Sequence, residues 1–199
     1  MDSVLLAQAV NKLETLKLWD PQLTTKQLHE IFTVMSNDTR LKSFEIRGVH
    51  LHTVNADLLA SAVNNIETVS LLETQLTTNQ VNAIFTAACG DSKKSNLMNL
   101  SIRSSCLAAV DPYLLARAVN MLKTVDLWNT HLTSLQMSSI LNHSRVNTLL
   151  KKMVIDGVTW TGVNGLLTQT NKCISMLLLI QTRVPWLEGL RSRTFYITY

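Results

Sequence analysis

From Leu13 onward the chain sets down one arrangement of apolar and polar positions six times. An apolar residue is followed three and five places later by two more, and another comes five places after that. The trios are Leu13-Leu16-Leu18, Leu41-Phe44-Ile46, Ile66-Val69-Leu71, Leu97-Leu100-Ile102, Leu122-Val125-Leu127 and Leu150-Met153-Ile155. Their closing residues are Leu23, Leu51, Leu76, Leu107, Leu132 and Trp160. Starts are spaced by 28, 25, 31, 25 and 28 residues. The second and third anchors of each trio are two residues apart, so they share one face of a short strand while the residues between and beyond them face the other way. This predicts strands near 15–18, 43–46, 68–71, 99–102, 124–127 and 152–155.

The text between strands starts helices, and it does so in two styles. LETLKLWDPQLTTKQL returns as IETVSLLETQLTTNQV and as LKTVDLWNTHLTSLQM. In these units Thr24-x-x-Gln27, Thr77-x-x-Gln80 and Thr133-x-x-Gln136 have the form of capping boxes, in which the hydroxyl and the glutamine satisfy amides of the first turn. In the alternate units VNADLLASAVNNI matches VDPYLLARAVNML. There Asp2, Asn55, Asp111 and Asn164 stand at an N-cap position, and Pro112 is placed as a first helical residue. A helix is thus expected after every strand, including one after GVTWTGVNG.

A strand and a returning helix, repeated, make neighbouring strands parallel and place the helices on one side of the sheet. Helices are wider than strands, so the expected shape is a horseshoe segment with strands on the concave face and helices on the convex face. These residues resemble the leucine-rich repeat proteins, and among them the ribonuclease-inhibitor-like class, which alternates two kinds of unit. The resemblance covers residues 1–165 and implies an α/β solenoid of about six repeats, followed by an irregular tail or cap over 166–199. Similar repeats serve in NOD-like immune receptors, in F-box substrate adaptors and in GTPase-activating proteins. The family often has an asparagine at the ninth place of the frame; here that place holds Pro21, Val49, Thr74, Ser105, Thr130 and Val158, which implies looser bends.

Charge changes the picture little. Of the formal +4, residues 166–199 supply +3 through Lys172, Arg183, Arg191 and Arg193 against Glu188, and residues 1–165 retain +1 with mixed signs. That is not the footprint of a nucleic-acid binder. Cys89, Cys106 and Cys173 fit neither a disulfide framework nor a metal-binding pair and read as buried free thiols. The start, MDSVLLAQAVNKL, lacks the basic, continuously apolar character of a secretory signal, and ISMLLLIQTRVPWLEGL is broken too early by Arg183, Pro185 and Glu188 to span a membrane. A cytoplasmic chain, a monomer or part of a longer protein, is the expectation.

With the anchors committed to the core, recognition falls to the strand positions that face away from the helices. The seventh place of the frame reads Trp19, Arg47, Leu72, Arg103, Trp128 and Asp156. Tryptophan and arginine are the residue types most enriched in binding hot spots. Around this column stand Lys17, Glu45 and Asp126 at the fifth place and Asp20 and Glu73 at the eighth. Two readings remain open for the tryptophans: packing over the end of their own unit, or contact with a partner protein. No catalytic constellation accompanies them. His50-x-His52 lacks a third metal ligand, no phosphate-binding glycine loop is present, and neither metal nor cofactor is expected. The function implied is a non-catalytic protein-interaction module working through its concave face. The alternative is a structural or sensor segment of a larger immune-type receptor or regulatory protein with no ligand of its own.

Overall fold

The computed structural model of the chain describes residues 3–37, 39–90, 95–103, 107–143, 149–163 and 166–169. Five-residue strands form at β1 (Thr15–Trp19), β2 (Ser43–Arg47), β3 (Thr68–Leu72), β4 (Asn99–Arg103) and β5 (Thr124–Trp128), followed by β6 (Lys152–Ile155), β7 (Val158–Val163) and β8 (Leu166–Gln169). The α-helices are α1 (Ser3–Val10), α2 (Thr25–Ser36), α3 (Ala56–Asn64), α4 (Thr78–Cys89), α5 (Pro112–Met121) and α6 (Ser134–His143). The eight strands lie in chain order in one sheet, parallel from β1 to β6.

Register follows the apolar frame. Leu16 stands beside Phe44, Phe44 beside Val69, Val69 beside Leu100, Leu100 beside Val125, and Val125 beside Met153. Every second and third anchor from β2 to β6 is buried, in one cluster with Ile31, Phe32 and Met35 of α2, Leu59 and Val63 of α3, Val81, Ile84 and Phe85 of α4, Leu115 and Val119 of α5, and Ile140 of α6. Phe32 meets Phe44 edge to face, with ring centroids 5.8 Å apart, a geometry favoured by the ring quadrupoles. One face of the sheet is therefore roofed by helices that pack against one another in sequence order, and among the described residues the other face is open.

The helix starts explain the alternation. Thr24–Gln27 and Thr77–Gln80 form complete capping boxes. Thr133 and Gln136 exchange the same bonds, Thr133 N–H to Gln136 Oε1 at 2.8 Å and Gln136 N–H to Thr133 Oγ1 at 3.2 Å. Gln80 and Gln136 do a second job. Gln80 Nε2 donates to the carbonyls of Leu51 and Val54, and Gln136 Nε2 to those of Leu107 and Val110, each at 2.7 Å. The buried amide thus caps its own helix and holds the strand-to-helix turn of the preceding unit. In the alternate units Asn55 accepts from the amides of Asp57 and Leu58, and Asp111 from that of Leu114 with Pro112 opening the helix. Near the C-terminal ends of α3 and α5, Asn64 and Asn120 donate to Ile84 and Ile140 carbonyls of the next helix. Asp2 and Asn164 lie outside the described residues.

The sixth unit departs from expectation. Among the described residues a hairpin, not a helix, follows β6: Ile155 and Val158 pair across the two residues Asp156 and Gly157, and β7 runs antiparallel to β6. Asp156 has φ +45 and Gly157 φ +82. An Asp-Gly pair with positive φ at both places is the tight hairpin turn that matches strand twist, and the valines and threonines of VTWTGV favour a strand once the chain has reversed. The segment taken as the approach to a last helix is β7, with Trp160 half-buried against the core. Leu166–Gln169, assigned to the tail, forms β8 antiparallel to β7.

At the ninth place of the frame the bonding is done by the backbone. Thr74 and Thr130 are fully buried and their hydroxyls have no hydrogen-bond partner. Their backbone carbonyls do the bonding instead, accepting from the amides of Leu51 and Leu107. Ser105 lies outside the described residues.

Candidate functional site

On the open face each parallel strand presents its third, fifth and seventh frame positions, and the register aligns them in columns. The third column is a ladder of short polar groups, where Asn99 Nδ2 donates to Thr68 Oγ1 at 3.0 Å and Thr124 Oγ1 donates to Asn99 Oδ1 at 2.7 Å. Such side chains stabilise neighbouring strands and offer little to grip.

The fifth and seventh columns hold charge and aromatic surface. The strands pair Trp19 with Arg47, Arg47 with Leu72, Leu72 with Arg103 and Arg103 with Trp128, so the five residues singled out at the seventh place form one continuous row. At the spacing of paired strands the two tryptophans are roughly 19 Å apart along it. Trp19 is 65% exposed and Trp128 46%. Lys17, Glu45 and Asp126 lie in the adjacent column. Asp20 and Glu73 sit just past their strands in the left-handed region, with φ +46 and +56. All ten residues expected to contact a partner are thus on one face or its immediate edge.

Their charges are largely spent on one another. Lys17 pairs with Glu45 at 3.3 Å, Arg47 with Glu73 at 3.1 Å and Arg103 with Asp126 at 2.8 Å, each across one strand interval. These pairs are half-exposed and contribute little stability. They do occupy the arginine and lysine head groups, which leaves the tryptophans as the features that stand out.

The two tryptophans are held differently. Trp19 Nε1 donates to Glu45 Oε1 at 2.7 Å, so its polar edge is tied to the next strand while the ring stays in solvent. Trp128 lies over the hairpin turn of the following unit. A Cβ on Gly157 would stand 2.9 Å from Trp128 Cζ3, and only a glycine permits that approach at this φ. At the other end Gly48 likewise makes room for the Asp20 carboxylate. The glycines at these two positions were the readable sign of the close approach, since both follow a strand at the same place in the frame.

Elsewhere the chemistry is sparse. His50 and His52 have ring centroids 6.0 Å apart, and among the described residues no cluster of three potential metal ligands occurs. Cys89 at the end of α4 is a half-buried free thiol whose pKa is raised by burial, with the Arg117 charge pulling the other way; Cys106 and Cys173 lie outside the described residues. Among the described residues no helix is long and apolar enough to cross a membrane. At the end of the sheet where the strands begin, Glu14, Arg40, Lys42, Glu67 and Lys123 line a shallow open depression of about 690 Å³, far from the tryptophan row.

The sequence matches no protein-family model and no curated protein.

Proposed function

We propose that the chain is a segment of a leucine-rich repeat solenoid of the ribonuclease-inhibitor-like type, and that it binds a protein partner, without catalysis, across the open face of its sheet. The frame of six anchored units, the parallel register in chain order and the alternating helix starts support the fold reading. The single observation that carries the functional reading is the seventh column. Two large, exposed tryptophans stand in one row with Arg47, Leu72 and Arg103 between them, on the face of the sheet that bears none of the described helices. Exposed aromatic surface of this kind, flanked by arginine, is what binding hot spots are made of.

The pairing of the arginines limits what the partner brings. With Arg47 and Arg103 already facing carboxylates, the gain on binding comes from covering the rings and Leu72 with apolar surface, and the charged neighbours form a polar rim. Trp19→Ala and Trp128→Ala together should leave the protein folded and cost about 1–2 kcal/mol in thermal unfolding, mostly from Trp128, which is only about half exposed. The same double variant should lose partner capture in cross-linking from the source cell, while Tyr113→Ala, on the exposed part of α5, keeps it. Capture that is equal in all three proteins defeats the reading.

A second reading draws on the same pairs. Lys17–Glu45, Arg47–Glu73 and Arg103–Asp126 each tie one unit to the next, as expected of a structural or sensor segment whose surface serves its own array within a larger immune-type receptor or regulatory protein. Full retention of the parent's activity in the double tryptophan variant would favour it.

A further inference from the structure

The charges along the parallel sheet follow a rule that fails at one corner. Where a charged side chain has a charged neighbour across one strand interval, the neighbour has the opposite sign: Glu14 and Lys42 at 3.4 Å, Lys17 and Glu45, Arg47 and Glu73, Arg103 and Asp126. Opposite charges across strands stabilise, and like charges facing one another destabilise. At the start of β5 and β6 the rule is broken. The amides of Lys151 and Lys152 both donate to the Lys123 carbonyl, at 2.8 and 3.2 Å, and Lys152 stands in register with Thr124. Three exposed ammonium groups therefore emanate from two adjacent strand starts, and among the described residues none of them is in a salt bridge.

Among the described residues no acidic side chain is in a salt bridge with the three, and Glu67 shares only the open depression that Lys123 also lines. The residue before Lys123 in the same column is Met98, on the neighbouring strand, and Glu67 lies one strand further on. The residues from 166 onward carry +3 and offer only Glu188. Leu149, 55% exposed, stands directly before the trio with its amide bonded to the Asn120 carbonyl, so an apolar contact is available beside the charges. A sequence that obeys local pairing four times and violates it once marks the exception as a place under another demand.

We propose that Lys123, Lys151 and Lys152, with Leu149, form a docking corner for an acidic segment of a polypeptide partner. The stems of Lys123 and Lys151 spring from points one strand separation apart, about 4.8 Å, close to the roughly 5–6 Å between the Cβ atoms of acidic residues at i and i+4 of a helix. The corner does not depend on the tryptophan row, which lies at the opposite end of the same strands.

The full chain should bind a labelled short peptide of alternating glutamate and alanine in fluorescence anisotropy, and binding should weaken as salt is added. A peptide with glutamine in place of glutamate should not bind. Lys123→Glu with Lys151→Glu should weaken the glutamate peptide by about tenfold, the sum of two or three exposed ion pairs. Lys12→Glu with Lys26→Glu, which makes the same change in net charge elsewhere, should leave it within about twofold, as screening between distant exposed charges dictates. Circular dichroism on each variant shows that the fold is kept, and Lys152→Gln gives a milder test should the double reversal fail to fold. Equal weakening by the control pair overturns the proposal, because attraction is then only to net charge. Tighter binding of inorganic polyphosphate than of the peptide also overturns it, in favour of a simple anion site. Trp128→Ala should not change peptide binding, so loss of the tryptophan-row function and loss of this corner are read separately.

Discussion

The first and third units carry nearly the same text and live in different surroundings. LETLKLWDPQLTTKQL and IETVSLLETQLTTNQV each make a strand, a turn and a capped helix. In the third unit Ile66, Val69 and Leu71 are sealed between β2, β4 and the helices. In the first, Leu13 is 39% exposed and Leu16 and Leu18 are only half-buried, because β1 pairs on one side only, with β2. Text alone sets the local geometry. The neighbours on both sides set what each anchor contributes, so the same substitution should have unequal effects in the two units.

The largest contrast is at the third anchor. Leu71→Ala removes a fully buried side chain from the middle of the core and should destabilise by about 3 kcal/mol, transfer and cavity terms together. Leu18→Ala empties a site that is already partly wet and should lower stability by about 1 kcal/mol. Urea unfolding followed by far-ultraviolet circular dichroism measures both, and equal losses would mean that the stack is as tightly sealed at β1 as in its middle.

The capping glutamines come next. Gln80→Ala deletes a capping-box partner and strips two buried carbonyls, those of Leu51 and Val54, of their donor. Unpaired buried groups and a lost cap together place the loss at about 2–3 kcal/mol. Gln27→Ala, at a less buried place, should cost less than Gln80→Ala, because the groups it leaves unpaired can turn to water. Gln80→Glu separates the two jobs of the third-unit residue, because a carboxylate keeps the bond to the Thr77 amide and cannot donate to the carbonyls. It should therefore fall close to Gln80→Ala in the same denaturation experiment.

How much of this was visible in the residues differs from place to place. Strand positions and register were legible because the apolar anchors recur with a fixed internal spacing, and a one-residue slip would turn every buried side chain to the open face. The helix starts were legible from their threonines, aspartate and asparagine. The double role of Gln80 and Gln136 was not read, although the sign was present: all three boxes use glutamine and none uses glutamate, and only an amide can donate onward. The hairpin after β6 was missed for a different reason. The anchors Leu150, Met153, Ile155 and Trp160 keep the frame, and the frame masked the Asp156-Gly157 turn, a local signal strong enough to reverse the chain. The ten residues of the candidate face were brought together because their columns follow from register, but the way they neutralise one another was invisible. Ion pairing depends on rotamers and on which of two neighbours a long side chain reaches, and the frame specifies neither.

The smallest expected effect bears on that last point. Arg47 stands on β2, near the edge of the sheet, and Arg103 on β4, at its centre, and both are half-exposed partners in ion pairs. Replacing either by alanine should alter stability by about 0.5 kcal/mol or less, and added salt should shrink the difference further, since exposed pairs are screened. The two should still not be equal. Arg103 meets Asp126 at 2.8 Å, and that carboxylate is the less exposed of the two acids, 28% against 52% for Glu73; its other oxygen, Oδ1, is buried without a partner. Arg103→Ala leaves a partly buried carboxylate short of its donor, whereas Arg47→Ala leaves Glu73 in water, so the first should be the larger and the less sensitive to salt. Unfolding of both variants at low and high salt decides it, and an Arg47→Ala loss that matched or exceeded the Arg103→Ala loss would show that the open face is as solvated at its centre as at its first strands.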